Sequence, residues 1–337
     1  MLNAPQREAI RYLDGPLLVL AGAGSGKTRV ITQKIAYLIN DYGLNPSTIA
    51  AITFTNKAAR EMQERVSALL KEKPTGLTIS TFHSLGVRIL REEAKVLGYK
   101  PRFSIFDASD CFSIFADLSG SVDKATIRRL QALISHWKNA LISPDQARQA
   151  AQNETEKLAA LAYASYAATL KAYQAVDFDD LIALPVELFT RHPAVLEKWQ
   201  NRLRYLLVDE YQDTNACQYQ LLKLLAGARA AFTAVGDDDQ SIYSWRGADI
   251  KNILAFEKDY PDAHVVKLEQ NYRSTGHILN AANAVVAHNS RRTPKRLFTD
   301  AGDGERIRVY QASDERDEGR WIGSEIEKLH DAGTSYD

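Results

Sequence analysis

The chain has 337 residues, 45% of them hydrophobic, which is enough for two or three domains with their own cores. Its 42 basic and 42 acidic side chains balance, so any basic surface for nucleic acid must be local. The only cysteines, Cys111 and Cys217, exclude a disulfide framework or a four-cysteine zinc site, and no apolar run approaches the ~20 residues of a membrane-spanning helix.

The N-terminal segment and a first predicted strand begin the chain. Residues 1–6 lack the basic and apolar regions of a secretory signal peptide, so we expect a soluble, cytoplasmic protein. Residues 17–20 are an apolar run typical of a buried strand, and residues 29–40 repeat apolar side chains at helical spacing. The sequence AGAGSGKT lies between them, at residues 21–28. This order of strand, glycine-rich loop and helix predicts a P-loop.

The P-loop motif assigns roles to single side chains. Glycines let backbone N–H groups turn toward phosphate oxygens, and the N-terminus of the next helix adds partial positive charge. Lys27 is predicted to reach the β- and γ-phosphates of a nucleotide, and the Thr28 hydroxyl to bind Mg²⁺. Ala21 replaces the glycine of the strict pattern, so the match is to a relaxed form. The predicted nucleotide-binding residues of this segment are Ala21, Gly22, Ala23, Gly24, Ser25, Gly26, Lys27, Thr28 and Arg29.

Predicted strands and helices alternate in the first and later parts of the chain, and a stretch with helical patterns separates these parts. Residues 49–54 and 77–81 predict two more strands, with a helical pattern between them. Residues 85–195 have long helical patterns and little strand signal, which predicts a helical insertion. Three further strands are predicted at residues 205–208, 232–235 and 265–268. The predicted fold class is α/β: a P-loop NTPase with a parallel sheet, helices on both faces and a helical insertion domain.

The last part of the chain predicts the start of a further domain. A helix is predicted from about residue 276, a strand over residues 307–310 and another helix over residues 321–329. One strand and two helices do not enclose a core of their own, so we expect residues 276–337 to be an incomplete domain.

Polar side chains follow the three later strands, at the edge where parallel α/β sheets bind ligands. Asp209 is predicted to hold Mg²⁺, and Glu210 to accept the proton of an attacking water. Gln240 can sense a γ-phosphate, or it can be a hydrogen-bonded loop glutamine. Arg273 can stabilise charge on the transferred phosphoryl group, or form a structural salt bridge, while Tyr272 can stack on adenine. The predicted catalytic residues are Lys27, Glu210, Gln240 and Arg273.

Aromatic and basic side chains near these strand ends predict binding of single-stranded nucleic acid. Tyr243, Trp245 and Arg246 place two rings and a guanidinium just beyond Gln240, and bases stack on such groups at ~1–3 kcal/mol each. The alternative for Trp245 is a core position, and the alternative for His83 is a capping or buried histidine. The predicted DNA-binding residues are Phe54, Thr55, Asn56, Lys57, His83, Tyr243, Trp245 and Arg246.

Taken together, these segments resemble the superfamily 1A DNA helicases of the UvrD/Rep/PcrA family, from Leu2 to about Ser274. The most specific segment is GDDDQSIYSWRGA, at residues 236–248. VDEYQD at residues 208–213 and QNYRS at residues 270–274 resemble two further family motifs. The chain is most similar to the Rep branch in the segments HWKN and KRLF, at residues 136–139 and 295–298.

The resemblance implies an activity and its partners. It implies ATP-driven 3′–5′ translocation on single-stranded DNA with duplex opening, in replication restart or repair. ATP and Mg²⁺ are the implied cofactors, and Gln6 is implied to read the adenine edge. The implied partners are single-stranded DNA, single-strand/duplex junctions and replication proteins, with no membrane. The implied state is a monomer or a DNA-induced dimer.

The resemblance also implies a domain plan. Residues 1–84 and 196–275 would form a split RecA-like ATPase domain 1A, residues 85–195 a helical domain 1B, and residues 276–337 the start of domain 2A. Motifs V and VI of the family, which include a second arginine, have no counterpart after Ser274. We therefore expect one wall of a two-walled nucleotide cleft.

Three other functions stay open from the sequence. The chain could be an ATP- and DNA-binding module without unwinding activity, or the helicase subunit of a recombination helicase–nuclease. It could also belong to another P-loop class, such as a GTPase or a small-molecule kinase. No Asn-Lys-x-Asp guanine-binding motif follows a strand, and Glu210 favours hydrolysis over transfer to a substrate hydroxyl.

Overall fold

The computed structural model of the chain describes residues 2–120 and 123–336. The strands in this part of the chain are β1 (Leu17–Ala21), β2 (Ile49–Thr53), β3 (Thr78–Thr81), β4 (Ser104–Ile105), β5 (Ala175–Val176), β6 (Tyr205–Val208), β7 (Phe232–Gly236) and β8 (His264–Leu268). The helices are α1 (Ala4–Arg11), α2 (Lys27–Asn40), α3 (Asn56–Leu70), α4 (Phe82–Glu93), α5 (Ala108–Ser119), α6 (Lys124–Asn139), α7 (Pro144–Ala150), α8 (Glu154–Ala172), α9 (Asp180–Arg191), α10 (Pro193–Arg202), α11 (Ala216–Ala226), α12 (Lys251–Leu254), α13 (Phe256–Asp259), α14 (Gly276–Val286) and α15 (Glu315–Asp331). Among these helices, none has both the length and the hydropathy to cross a bilayer.

Six strands form one parallel sheet in the order β3-β2-β6-β7-β1-β8. The inner strand β1, between β7 and β8, is buried on both faces, because alternate side chains enter two different cores. Leu18 and Leu20 pack against α4, α9 and α11, while Leu17 and Val19 pack against α1, α2 and α3. The α/β fold class predicted from the sequence is therefore confirmed, and all six predicted strands of the sheet are present.

A third hydrophobic core lies among the helices between β3 and β6. Its buried side chains come from α5, α6, α7, α8 and β5, and Leu130, Tyr166 and Phe115 are at its centre. The strands β4 and β5 add a short two-stranded ladder that the sequence did not predict. Helices α4, α9 and α10 lie wholly or partly within residues 85–195, yet their side chains pack in the core of the main sheet. The residue boundaries of the predicted domains stay a prediction, and Met1 and Asp337 lie outside the described residues.

The strand predicted over residues 307–310 is wrong. These residues have no regular structure, and Val309 is 90% exposed. A strand needs a neighbour for its backbone N–H and C=O groups, and within the described residues none lies beside this segment. The helix predicted after it is present as α15, although none of its residues is buried.

Because the six strands run parallel, their carboxyl ends meet at one edge of the sheet. The glycine-rich loop follows β1 at this edge, and Asp209 follows β6. Asp237 follows β7, and Glu269 follows β8. The fold thus collects the polar strand ends of the sequence in one place.

Helices α4 and α9 approach most closely at Gly86, which gives a test of the packing. A Cβ atom there would lie 1.7 Å from the carbonyl oxygen of Leu181, so Gly86→Ala must push the two helices apart. We expect the free energy of unfolding in urea to fall by about 2 kcal/mol. Gly319→Ala in α15 is the control, because no atom lies within 4 Å of its added Cβ, and it is expected to cause no loss. Equal stabilities of the two variants would contradict this close approach.

Candidate functional site

The loop between β1 and α2 has a turned shape that depends on glycine. Gly24 and Gly26 have φ angles of 69° and 90°, which glycine adopts without strain. Ser25 is fully buried, and its Oγ donates to the carbonyl oxygen of Gly22 at 2.7 Å. A Cβ atom on Gly24 would lie 2.5 Å from Nδ2 of Asn271, which follows β8. The loop is therefore shaped both by its own backbone and by a residue of another strand end.

A cavity of ≈ 390 Å³ opens in front of this loop. Two larger cavities, of ≈ 540 and ≈ 500 Å³, lie among the helices between β3 and β6, and no predicted site residue lines them. The cavity of ≈ 390 Å³ is the better candidate for a ligand site, because charged and glycine residues surround it. Its lining residues are Ala23, Gly24, Gly26, Lys27, Thr28, Arg29, Arg65, Glu210, Gln240, Tyr272 and Arg273. All four predicted catalytic residues are in this set, whereas Gln6, Ala21, Gly22, Ser25 and Asp209 are not.

Lys27 connects the glycine-rich loop to two other strand ends. Its Nζ donates to Oε2 of Glu210 at 2.8 Å and to Oε1 of Gln240 at 3.4 Å. The Lys27 side chain is only 11% exposed, so the ion pair with Glu210 is partly shielded from water. A carboxylate, an amide and an ammonium group thus meet in the cavity, although Lys27 is more than 180 residues from the other two in the chain.

Glu210 combines a strained backbone with a lowered pKa. Its φ of 50° lies in the left-handed region, which is uncommon for a residue other than glycine and concentrates at functional sites. Burial raises the pKa of its carboxyl, but the Lys27 ammonium and a 2.9 Å hydrogen bond from Gln212 Nε2 outweigh burial, and the pKa lies below its ordinary value. The carboxylate is therefore ionised at neutral pH, as a proton acceptor has to be.

Asp209 and Thr28 are the residues predicted to hold a divalent cation, and the surroundings of Asp209 are compatible with that role. Asp209 is buried, and burial, together with the charge of Glu210, raises the pKa of its carboxyl to about 6. One of its oxygens accepts from the Glu210 N–H at 3.0 Å. A buried carboxylate with a single backbone donor is poorly compensated, and a cation that prefers oxygen ligands would supply the missing charge.

Gln6 and its neighbours form the N-terminal cap of α1. The Gln6 side chain is fully buried; its Oε1 accepts from the Asn3 N–H at 3.1 Å, and its Nε2 donates to the Ser25 carbonyl oxygen at 2.9 Å. Gln6 thus touches the back of the glycine-rich loop and not the cavity. The predicted role of Gln6 in reading adenine stays a prediction.

Tyr272 and Arg273 are exposed at the rim of the same cavity. The Tyr272 N–H donates to the Gly24 carbonyl oxygen at 2.9 Å, which fixes this segment to the loop. Within the described residues, Arg273 forms no ion pair. The structural salt bridge considered from the sequence is therefore not what holds Arg273, and its guanidinium is available to a ligand.

The predicted DNA-binding residues form two groups at the same edge. In the first, Trp245 is 74% exposed in a short 3₁₀ turn, so the core position considered from the sequence is wrong. The Arg246 guanidinium lies 4.5 Å from the Trp245 ring centroid and 5.0 Å from the Tyr243 ring centroid. The three side chains form an exposed stack that a nucleobase can extend.

The second group follows β2 and β3. Thr55, Asn56 and Lys57 are exposed at the start of α3, where the Thr55 Oγ1 caps the helix by accepting from the Ala58 N–H at 3.1 Å. Phe54 is half-buried and packs edge-on against the Phe82 ring, which also lies at this edge. Hydroxyl and amide groups at these strand ends are thus accessible, but part of their capacity stabilises helix termini.

His83 is half-buried beside an aromatic residue that the sequence did not single out. Its ring lies 5.7 Å from the Phe178 ring, which is 55% exposed. Burial lowers the pKa of His83, so the ring is neutral at neutral pH. The structure brings His83 to the surface between helix α4 and the segment before α9, and it does not bring it to the Trp245 stack.

Two residues of the site were missed in the sequence. Arg65 reaches the cavity from the third turn of α3, and no sequence signal separates it from the other charged residues of that helix. Gln212 donates to Glu210 and accepts from the Asp237 N–H at 2.9 Å, so it joins the ends of β6 and β7. Its place in VDEYQD was the only available signal.

Comparison with known proteins gives a family match over most of the chain. Residues 2–261 match the family model described as the UvrD/REP helicase N-terminal domain, and residues 266–337 match the UvrD-like helicase C-terminal domain. The chain is 51% identical over 333 residues to the protein named ATP-dependent DNA helicase Rep of Escherichia coli (strain K12), covering 98% of this chain and 50% of that protein.

A second group of relatives is named ATP-dependent DNA helicase PcrA. The chain is 48% identical over 339 residues to the protein of Staphylococcus epidermidis, covering 99% of this chain and 46% of that protein. It is 49% identical over 335 residues to the protein of Leuconostoc citreum, covering 98% and 45%. The chain thus spans about half the length of the curated relatives that it matches.

The raised pKa of Asp209 predicts a pH-dependent gain in stability when its charge is removed. Between its ordinary value of 3.8 and about 6, the folded state holds the Asp209 proton more tightly than the unfolded state does. Above pH 6 the buried carboxylate is ionised and destabilises the chain by about 3 kcal/mol. We therefore expect Asp209→Asn to raise the free energy of unfolding at pH 7.5, without Mg²⁺, by about that amount.

The gain should shrink as the pH falls from 6 to 4, because Asp209 is then protonated in the folded state and becomes increasingly protonated in the unfolded state as well. Urea unfolding at pH 4.5 and 7.5 with a chelator present measures it. The exposed Asp117→Asn controls for the change in net charge. A gain of the same size at both pH values would show that burial of the Asp209 charge is not its source.

Proposed function

The chain belongs to the UvrD/Rep helicase family, and we propose that it binds ATP at the sheet edge and hydrolyses it as the nucleotide-binding part of a motor that moves along single-stranded DNA. The observation that carries this proposal is the meeting of Lys27, Glu210 and Gln240 in one cavity in front of the glycine-rich loop. Phosphate ligand, proton acceptor and phosphate sensor are the parts that ATP hydrolysis needs. The relatives are named ATP-dependent DNA helicases, which agrees with the proposal.

In the proposed reaction, the nucleotide competes for groups that now bind each other. The β- and γ-phosphates attract the Lys27 ammonium, which releases the Glu210 carboxylate to accept a proton from water. Thr28 and Asp209 would hold Mg²⁺, which would supply positive charge to the phosphates. Arg273 at the rim adds a cation where charge develops, and Tyr272 offers its exposed ring to adenine.

The DNA is proposed to lie along the same edge of the sheet. The Trp245 stack and the residues after β2 and β3 are exposed there, and bases can stack on the rings while hydroxyl and amide groups contact phosphates. The 3′–5′ direction, duplex opening at single-strand/duplex junctions and a role in replication restart or repair come from the family resemblance. So do replication proteins as partners and the monomer or DNA-induced dimer. The bacterial relatives support a cytoplasmic location.

We propose the domain plan of the family for this chain as well. The main sheet takes its strands from residues 17–81 and 205–268, which supports a split ATPase domain. The separate core of α5 to α8 supports a helical domain inserted between the two parts.

Steady-state ATP hydrolysis by this chain, with and without single-stranded DNA, tests the proposed function. We expect DNA-stimulated turnover that Lys27→Ala abolishes through loss of phosphate binding. Glu210→Gln should keep the affinity for a fluorescent ATP analogue and lower the turnover by about 10² or more, because only the proton acceptor is lost.

The other outcomes separate the competing functions. Binding of the ATP analogue without turnover would favour an ATP- and DNA-binding module, and preference for GTP would favour another P-loop class. No binding at all by the unaltered chain would contradict the proposal.

The Trp245 stack predicts a localised loss of DNA affinity. We expect Trp245→Ala to weaken binding of a fluorescent oligothymidylate by about tenfold at fixed salt concentration, because one stacking surface is removed. Tyr42→Ala is the control, because Tyr42 is 57% exposed but follows α2 at the opposite edge of the sheet. Fluorescence anisotropy measures both affinities, and equal losses would place the DNA elsewhere.

A further inference from the structure

Three consecutive aspartates follow β7 and are crowded together. One carboxylate oxygen from each of Asp237, Asp238 and Asp239 lies within 4.8 Å of the others, and their side chains are 4%, 0% and 7% exposed. Like charges in so small a buried space destabilise one another unless a cation lies among them. The chain itself provides that cation from a segment more than 50 residues later.

Lys295 places its ammonium group among the three carboxylates. Its Nζ lies 2.8 Å from Asp237, 2.5 Å from Asp238 and 2.8 Å from Asp239, and the Lys295 side chain is only 3% exposed. Arg292 adds a second cation, donating to Asp239 through Nε at 2.9 Å and through Nη2 at 2.8 Å. Burial opposes ionisation of Asp239, but these two partners outweigh burial and bring its pKa to about 2.

One of the three aspartates, Asp237, contacts Gln240, which lines the candidate nucleotide cavity. The Oδ1 atom of Asp237 faces Lys295, whereas its Oδ2 accepts a hydrogen bond from Nε2 of Gln240. This contact decides which way the Gln240 amide points, because the amide nitrogen is a donor and the oxygen an acceptor. With Nε2 turned to Asp237, Oε1 faces the Lys27 ammonium at 3.4 Å.

We propose that Lys295 is a positioning residue for Gln240, acting through Asp237. The Lys295 ammonium fixes the Asp237 carboxylate, and the carboxylate fixes the amide that faces the nucleotide. The inference rests on the proposed function, since it assigns Gln240 the role of phosphate sensor in that reaction. Lys295 does not line the cavity, and the side-chain path from its ammonium group to the cavity runs through Asp237 and Gln240.

The segment that carries Lys295 also touches the other strand ends. We define residues 289–298 as the clamp segment. Its Leu297 packs on Gly22 of the glycine-rich loop, where a Cβ atom would be 2.2 Å away. The Phe298 backbone bonds to Glu269 at 3.0 Å and to Asn271 at 2.7 Å, beside β8. The clamp segment thus contacts the residues that follow β1, β7 and β8. The orientation of the Gln240 amide is therefore linked to the position of the clamp segment.

The test compares nucleotide discrimination, which a purely structural role of Lys295 would leave unchanged. The affinities of a fluorescent ADP and of a non-hydrolysable fluorescent ATP analogue are measured with Mg²⁺, and their ratio reports the γ-phosphate contact. We expect Lys295→Met to reduce this ratio by about tenfold, as Gln240→Ala does, because a charge-assisted contact is lost. Combining the two substitutions should cause no further reduction, since both break one chain of contacts.

Lys267→Met is the matched control for anchoring of the clamp segment. The Lys267 Nζ donates to the Pro294 carbonyl oxygen at 2.8 Å, so it holds the same segment without touching the three aspartates. Lys267→Met should leave the ratio of the ATP-analogue and ADP affinities unchanged. The affinity for ADP should stay within about twofold of the unaltered chain in both Lys267→Met and Lys295→Met.

Asp237→Asn and Asp238→Asn decide the question if Lys295→Met does not fold. Each removes one negative charge beside Lys295, but only Asp237 contacts Gln240. An asparagine offers one side-chain acceptor where Asp237 uses two, so Asp237→Asn must lose either Lys295 or Gln240. We expect the ratio to fall in Asp237→Asn and to persist in Asp238→Asn.

Two results would overturn the inference, and they differ. If Gln240→Ala lowers the ratio but Asp237→Asn and any folded Lys295→Met keep it, Lys295 does not position the sensor, and the proposed function stands. If the unaltered chain binds neither nucleotide, or binds both without preference, the proposed function fails and the inference fails with it.

Discussion

All six strands of the main sheet run in the same direction, and the candidate site depends on this constraint. Parallel strands place every carboxyl end at one edge, so Lys27, Glu210 and Gln240 meet although long stretches of sequence separate them. The helices on both faces make the arrangement stable, because β1 is then buried on both sides. The helices between β3 and β6 have a separate core of their own.

The crowding of charge at this edge has an energetic consequence. The carboxylates of Asp209 and Asp237 are buried and that of Glu210 is partly exposed beside them, and Lys27 and Lys295 provide the opposing charges. Glu210 and Asp237 are compensated by these cations, but Asp209 is not, and its raised pKa reflects that. The uncompensated charge of Asp209 thus lowers the stability of the fold at a position where a bound metal ion would compensate it. Binding sites commonly lower the stability of a fold in this way.

The sequence predicts the sheet and the strand ends because both depend on local patterns. Apolar runs followed by Asp209 or by the GDDDQ segment need no knowledge of distant partners. The failures are all long-range: residues 307–310 are apolar enough for a strand but have no neighbouring strand in the described part of the chain. Arg65 lines the same cavity as Glu210, which lies 145 residues later, and Lys295 pairs with Asp237, which lies 58 residues earlier. The sequence pattern does not reveal either relation.

The polar groups of the site are already bonded to one another. Lys27 binds Glu210, Gln240 binds Asp237, and the Gln6 amide binds the Ser25 carbonyl oxygen. A nucleotide therefore exchanges hydrogen bonds instead of adding them, and the net free energy of each contact is smaller than its number suggests. The exchange also releases the groups that the nucleotide displaces. Because those groups belong to different strand ends, occupation of one cavity alters the constraints on β6, β7 and the clamp segment at once.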